Sequence, residues 1–428
     1  MYKIKSKQDK AVLIGVNLKS GNIENKKSSL KELALLVETA GIEVVDSFVQ
    51  NREAIDKTTY AGKGFLEGIR NRYQEVDIYI FDNELSPTQS RNIEKLLEVI
   101  AIDRTEVILT IFHQHAHTKE ARLQVELAEL KYQLPRLKKL WSHLDRERGQ
   151  ASGSRGVARG MGEKQIEIDR RRVIHEISRV QKMLKKIVKQ RHTQRKKAQN
   201  EKRVCLVGYT NAGKSTLFNR MTDANTFVED KLFATLDSTA RRLPGEFGHD
   251  LIISDTVGFI SNLPHNLVAS FRSTLLDVKE ADLLLHVVDV ANERFRDQIK
   301  AVEQVLREIG ANESRILMVM NKVDLISNEE KRILKEEFSE AVQISANTGY
   351  NISKLTRILN DVLKQPEIFE LYIPVQDQQE INQVHELGKV ISQSYHEEGV
   401  LIRTLLSEND IRYFEKYRVN IKGDDHED

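Results

Sequence analysis

The sequence predicts an α/β protein centred on a doubly wound, mostly parallel sheet, preceded by a small α/β domain and an antiparallel helical hairpin and followed by a small α+β domain. Three observations carry this. Apolar runs alternate with helical patterns over residues 1–117, leucines then repeat at heptad spacing, and from residue 201 an apolar strand leads through a glycine-rich turn into a helix. Alternation signals a parallel sheet, and a sustained heptad signals helices packed along a seam. The 428 residues suffice for about two to four domains. We place the boundaries at 1–117, 118–200, 201–365 and 366–428.

Composition narrows the class of protein. No apolar run approaches the roughly 18 residues of a membrane span, and "MYKIKSKQDKAVLIGV" lacks the apolar core and small-residue cleavage site of a secretory signal. A cytoplasmic protein without membrane insertion, monomeric when free, is expected. Cys205, the only cysteine, cannot form an internal disulfide, and its setting in "KRVCLVG" reads as a buried strand. The net charge of +2 conceals a strong asymmetry: Arg170 to Arg203 holds fourteen Lys/Arg against two Glu, while Glu367 to Asp428 holds fourteen Asp/Glu against six Lys/Arg.

In the first domain, strands are expected at "KAVLIGVNL", "IEVVDSFV" and "VDIYIFDN", with helices through "SSLKELALLVETA" and "PTQSRNIEKLLEVI". "YAGKGFLEG" lacks the spacing of a phosphate-binding loop and reads as a helix-start turn. In "HQHAH", His113 and His117 would share a face of a continuous helix. No acidic or cysteine ligand stands at a matching spacing nearby, so no metal is assigned to them.

The hairpin is read from Leu123, Leu127, Leu130, Leu134, Leu137, Trp141 and Leu144 on one arm and Ile166, Val173, Ile177, Val180, Leu184 and Ile187 on the other, with a kink expected at Pro135. Between the arms, "RGQASGSRGVARGMGEKQ" predicts a glycine- and arginine-rich tip loop over 146–165, far longer than a helix connection needs. A disordered linker would account for the glycines. A probe into a phosphate-rich cavity accounts also for Arg148, Arg155, Arg159 and Lys164, with Arg170, Arg171 and Arg172 following at the head of the polycation as candidate RNA contacts.

"KRVCLVGYTNAGKSTLFNRM" places G-x-x-x-x-G-K-[ST] between a strand and a helix, the context that a phosphate-binding loop requires. Backbone N–H groups of residues 209–215 then face the β-phosphate at a helix N-terminus, Lys214 bridges the β- and γ-phosphates, and the Ser215 hydroxyl ligates Mg2+. "MVMNKVDL" selects the base: the Asp324 carboxylate accepts from N1–H and the N2 amino group of guanine, donors that adenine lacks. "ISAN" at 344–347 supplies a loop for guanine O6. Asp255, closing the strand "LIISD", reaches Mg2+ through water, and the Gly258 amide meets the γ-phosphate whose loss frees the switch. In "KLFATLDSTA", the pattern "FATL" resembles the "FTTL" of related bacterial GTPases, and that resemblance implies Thr235 as the Mg2+ ligand, with Thr239 the second candidate. The predicted GTP and GDP site thus comprises Gly208, Tyr209, Thr210, Asn211, Ala212, Gly213, Lys214, Ser215 and Thr216; Thr235; Asp255, Thr256, Val257 and Gly258; Asn321, Lys322, Val323 and Asp324; and Ser345, Ala346 and Asn347.

Where Ras-type enzymes orient the attacking water with Gln, this chain has Phe259. A phenyl ring cannot hold water, so unaided turnover is expected at about 10⁻⁴ to 10⁻² s⁻¹; the alternative is that Phe259 only packs against the sheet. Arg241 and Arg242, after the first switch, are expected to face solvent or RNA rather than act as an internal finger. After "NISKLTRILNDVL", the last domain is expected to hold a strand "IFELYIPV", a helix through "INQVHELGKVI", a strand "GVLIRTLLS", a helix "NDIRYFEKY" and "RVNI" before the acidic tail, a composition suited to a basic protein surface.

Over nearly its full length the chain resembles the HflX family of ribosome-associated GTPases, through "DRTEVILTIF", "QVELAEL", "RGMGEKQIEIDRR", "LFATLDSTARR" and "DTVGFISNLPHNLVASFRSTL". It departs at Met161, where the family loop carries Pro, and at His115, where Arg is common. Asn211 stands where GTPases that use K+ carry Asn. The resemblance implies a GTP hydrolase that binds the large ribosomal subunit and ribosomal RNA near the hairpin tip, is stimulated by ribosomes, and splits stalled or idle ribosomes under stress. A large-subunit assembly GTPase, and an RNA-binding regulator whose nucleotide only sets conformation, are the alternatives.

Overall fold

The computed structural model describes residues 9–151, 157–196, 201–222, 232–233, 236, 239–243, 250–261, 277–311, 314–363, 367–406 and 408–419, with the backbone alone for 138–151, 157–166, 191–192, 194–196, 250, 367, 378 and 408–409. By its contacts the chain divides into two units, residues 1–244 with 251–352, and 353–428 with 245–250. The helix at 352–363, expected to close the central domain, thus falls almost wholly in the second unit.

The first domain is a four-stranded parallel sheet of order β2-β1-β3-β4, built from β1 (Lys10–Leu18), β2 (Glu43–Arg52), β3 (Ile78–Phe81) and β4 (Ile100–Asp103). β1 is buried on both faces, which is why its sequence is nearly continuous in apolar residues rather than alternating. Ala11 and Leu13 face α1 (Ile23–Thr39) and α4 (Arg104–His115), whereas Val12, Ile14 and Val16 face α2 (Lys63–Arg72) and α3 (Pro87–Leu97). Ser86 and Gln89 form a capping box around Pro87, which fixes where α3 begins. "YAGKGFLEG" is indeed a helix start, with Gly62 preceding α2.

α4 ends at His115, so His117 lies beyond it and does not share a helical face with His113. His113 Nδ1 instead stands 3.4 Å from Glu129 Oε1. Among the described residues no group of three or more His, Cys, Asp or Glu is placed to hold a metal ion.

The hairpin arms are α5 (Lys119–Ala151) and α6 (Val157–Lys196). Leu123 and Leu127 pack on Val180 and Leu184, with Leu130, Ile177 and Ile187 flanking them, as the heptads require. Helix covers much of the segment expected as a tip loop, because α5 runs to Ala151 and α6 begins at Val157. The Arg, Gln, Glu, Lys and Ala between the glycines are strong helix formers and offset the glycine penalty. The side chains of Arg148, Arg159, Lys164, Trp141, Leu144 and Ile166, and all of Arg155, lie outside the described residues. Pro135 does not end α5. Next to it, Arg136 donates to the carbonyls of Tyr132 at 3.1 Å and Leu85 at 2.9 Å and pairs with Asp103 at 2.9 Å, fastening the base of the hairpin to the first domain.

The central sheet, among the described residues, has six strands in the order β10-β9-β8-β5-β7-β6. They are β5 (Glu201–Gly208), β6 (Thr239–Arg242), β7 (Asp250–Asp255), β8 (Leu283–Asp289), β9 (Ile316–Asn321) and β10 (Val342–Gln343). β6 is antiparallel to β7, while β5-β8, β8-β9 and β9-β10 are parallel. Cys205 is fully buried in β5. α7 (Lys214–Thr222), α8 (Phe295–Glu308) and α9 (Asn328–Glu337) belong to this domain. A T-shaped contact between Phe112 of α4 and Phe233, with centroids 4.8 Å apart, joins it to the first domain.

The second unit holds an antiparallel sheet of order β11-β13-β12, from β11 (Glu367–Pro374), β12 (Lys389–Tyr395) and β13 (Gly399–Leu406), with α11 following α10 (Ile352–Leu363) and spanning Gln378–Leu387. The expected helix through "INQVHELGKVI" stops at Leu387, and Lys389 onward is strand. Gly388 is the reason. A Cβ there would stand 2.6 Å from Thr404 Oγ1 and 2.7 Å from a Leu406 methyl, so the chain passes β13 closely only at glycine. No described helix is long and apolar enough to cross a membrane.

Candidate nucleotide site

At the end of β5 the chain turns at Gly208, where a Cβ would meet the Val287 carbonyl oxygen at 2.2 Å. The loop continues through Asn211, at φ +60°, to Gly213, at φ +88°, where a Cβ would lie 2.3 Å from Asn321 Nδ2. These approaches demand glycine, and the loop delivers its backbone to the N-terminus of α7. Lys214 is 6% exposed, and its ammonium donates to the carbonyls of Gly208 at 3.1 Å and Tyr209 at 2.7 Å. Burial pushes its pKa down to about 8, against the pull of Asp255.

Ser215 Oγ donates to Asp255 Oδ2 at 2.6 Å. Thr256 anchors the second switch to β5 by donating to the Leu206 carbonyl at 2.6 Å. A Cβ on Gly258 would stand 2.8 Å from Thr210 Cα and 3.0 Å from Lys214 Nζ. We expect Gly258→Ala to cut GTP turnover by about 10² or more while leaving GDP affinity nearly intact, since it perturbs only the γ-phosphate side of the loop; turnover and GDP titration check this. Phe259 donates its N–H to the Gly208 carbonyl at 3.0 Å and accepts from the Thr210 N–H at 2.7 Å, while its ring is 4% exposed among Tyr209, Leu232, Phe233 and Ile260. The ring is thus a packing group in this conformation, and the backbone stitches the switch to the phosphate loop.

Asn321 ties two loops together, donating to the Ala212 carbonyl and accepting from the Ala346 N–H, both at 2.9 Å. Lys322 occupies the left-handed region at φ +64° and pairs with Asp289 at 2.7 Å, and Val323 is buried. Asp324 is exposed at the rim, free of the packing that holds Val323. Ser345 closes its own turn by accepting from the Thr348 N–H at 3.1 Å, and the carbonyls of Ala346 and Asn347 accept from Arg220. The structure therefore brings Gly208 to Thr216, Asp255 to Gly258, Asn321 to Asp324 and Ser345 to Asn347 to one end of the sheet. Thr235 lies outside the described residues, and Thr239 opens β6 opposite Asp255. Arg241 and Arg242 are exposed, and Arg242 is 3.8 Å from Glu201.

Asp289, Arg220 and His286 were not among the residues read from the sequence. Asp289 ends the apolar run of β8 as Asp255 ends β7, a signal that was present. His286 and Arg220 carry none, because their roles follow from which strands and loops become neighbours. His286 is buried, and burial together with the Lys214 charge pushes it down to about 4, from 6.5 in an unfolded chain. The neutral ring contributes stability that is fully present above pH 6.5 and is lost as pH falls toward 4, by at most about 3 kcal/mol. Denaturant unfolding between pH 7 and pH 4.5 should show a shallower decline for His286→Leu than for the unsubstituted chain. The first domain also reaches the site: the Tyr209 phenol donates to Glu32 of α1 and accepts from the Ser261 N–H at 2.7 Å.

A glycine cradle at a helix N-terminus, a buried lysine and a switch aspartate beside it define a P-loop GTPase. Models of three families match in succession: GTP-binding GTPase N-terminal over residues 27–113, GTP-binding GTPase middle region over 115–198, and 50S ribosome-binding GTPase over 203–322. The chain is 40% identical over 408 residues to the GTPase HflX of Caldanaerobacter subterraneus subsp. tengcongensis, covering 94% of this chain and 92% of that protein. It is 40% identical over 378 residues to the GTPase HflX of Escherichia coli K12, covering 86% and 87%. The chain belongs to the HflX family of GTPases. The crystal structure of a GTP-binding protein from Sulfolobus solfataricus in complex with GDP is similar over 83% of this chain and 98% of that one, at 25% identity and a TM-score of 0.45.

Proposed function

We propose that this GTPase, in its GTP form, binds the large ribosomal subunit and separates stalled or idle ribosomes in the cytoplasm, with hydrolysis permitting release. The observation that carries the reading is the polycationic arm α6, with Arg170, Arg171 and Arg172 exposed at its head, on a chain whose other half is a nucleotide switch. The family description of residues 203–322 as a 50S ribosome-binding GTPase supports it.

Ser215 and Asp255 supply hard oxygen donors side by side, a donor set suited to Mg2+, and we assign Ser215 and Thr235 to that ion as ligands and Asp255 to it through water. Bound there, Mg2+ would neutralise charge on the β- and γ-phosphates. Lys214 holds the same phosphates and stabilises charge in the transition state. The Thr210 hydroxyl is buried without a hydrogen-bond partner, a group that a phosphate oxygen would satisfy. Asn211 is assigned to a K+ ion, and exchange of KCl for NaCl should lower turnover. Phe259 orients no water in this conformation, so the site is completed on the ribosome, by its RNA or protein, by K+ or by a rearranged Phe259.

Sucrose-gradient analysis of ribosomes with a non-hydrolysable GTP analogue tests the reading. Separated subunits are expected; intact ribosomes, with the protein bound to immature large subunits instead, would favour an assembly role. RNA binding and cellular function that survive Lys214→Ala would favour a regulator whose chemistry is incidental.

A further inference from the structure

Val180 and Leu184 of α6 are buried against α5, with Ile177 and Ile187 half-buried on the same seam. With 3.6 residues per turn, the side of α6 turned directly away from that seam carries Arg171, His175, Lys182, Lys185, Lys186 and Lys189. All six are exposed. They form a ridge of about 27 Å at 1.5 Å rise per residue. The ridge is separate from both the nucleotide loops and the tip of the hairpin.

The four lysines are neighbours at three- and four-residue spacing, where like charges destabilise a helix and a merely solvated face would interleave glutamates. The sequence holds no Asp or Glu between Glu176 and Glu201. Arg171 pairs with Glu167, and Arg179 with Glu126 and Glu176; none of these ion pairs reaches the lysines. The repulsion is therefore left for an external anion to relieve.

The chemistry of the face selects the anion. Between Trp141 and Tyr209 there is no Phe, Tyr or Trp, so the ridge offers no platform on which single-stranded bases stack. Its apolar side is occupied by α5, which leaves no apolar face to enter a bilayer. Lysines act as point charges that follow a phosphate backbone without reading base edges.

We propose that the outward ridge of α6 docks the sugar–phosphate backbone of duplex RNA, along the helix and independently of the hairpin tip. The proposal rests on the ribosome reading for the source of that RNA and deepens it, assigning the contact on α6 to its outward lysines and to duplex RNA.

The test is binding of the full chain to a labelled RNA duplex of about 20 base pairs across a salt series, for the unsubstituted protein, for Lys182→Gln, Lys185→Gln, Lys186→Gln and Lys189→Gln combined, and for the four Lys→Arg changes combined. The Gln variant is expected to bind at least about tenfold more weakly, with a salt slope shallower by about 4. The Arg variant should bind as before, and GTP turnover of the free protein should be unchanged in both. Circular dichroism establishes that each is folded; if the combined Gln variant is not, single Lys→Gln changes should each lower the slope by about one. An unchanged affinity and slope in the Gln variant overturns the proposal, as does equal ridge-dependent binding to phosphatidylserine vesicles or to polyglutamate. Large subunits separate the two readings. RNA binding lost on Lys→Gln while no variant binds subunits keeps the ridge and rejects the ribosome; subunit and RNA binding intact in the Gln variant keeps the ribosome and rejects the ridge.

Discussion

Lys214→Ala is expected to lower kcat/KM for GTP by about 10² to 10³, the usual cost of removing one preorganised charge from a developing oxyanion. The ammonium is buried at the mouth of the phosphate loop, 3.0 Å from where a side chain on Gly258 would begin, and burial has already lowered its pKa to about 8. A charge held in so dry a place interacts with phosphate far more strongly than it would in water. The substitution also removes the donor that satisfies the Gly208 and Tyr209 carbonyls. Some loss of stability, about 1–3 kcal/mol, accompanies it. Thermal melts with and without GDP separate the two effects: the catalytic loss should persist at temperatures where the variant is fully folded.

Asp324→Asn is expected to weaken GTP binding by about 10² to 10³, corresponding to two charge-assisted hydrogen bonds of about 1.5–3 kcal/mol each, partly replaced. The carboxylate stands exposed at the rim, while Asn321 and Val323 beside it are buried and hydrogen-bonded within the protein, so the change should leave the fold alone. Since Asn presents an amide N–H where the carboxylate presented an acceptor, the variant should gain affinity for xanthosine triphosphate, whose C2 carbonyl replaces the guanine amino group. Competition titrations with both nucleotides check it. An unchanged preference for GTP would place base selection elsewhere.

The nucleotide site was legible because its residues act through backbone geometry at strand ends. Gly208, Gly213 and Gly258 are forced by close approaches that only glycine permits, and Asn321 by two loops that need one amide between them. The parallel first domain was legible for a similar reason, since strands buried on two faces read as apolar runs. What escaped depended on long-range neighbours. His286 matters because β8 lies beside β5, under Lys214, and Arg220 because α7 passes the loop at Ala346. Residues 146–151 and 157–165 read as loop through their glycines, whereas the helix formers among them dominate in sum. The end of α11 at Leu387 is not legible in the sequence, because the close passage at Gly388 exists only once β13 is in place. The role of Phe259 was half legible: sequence showed that it cannot hold water, and only the fold shows where the ring goes.

That ring leads to the central claim, that the catalytic machinery is completed by a partner. The direct measurement is GTP turnover by the purified protein alone, with large ribosomal subunits, and with whole ribosomes, at matched Mg2+ and K+. The account predicts a slow rate alone and rates raised at least about a thousandfold, equivalent to about 4 kcal/mol of transition-state stabilisation, in the other two. Equal rates in all three would contradict it.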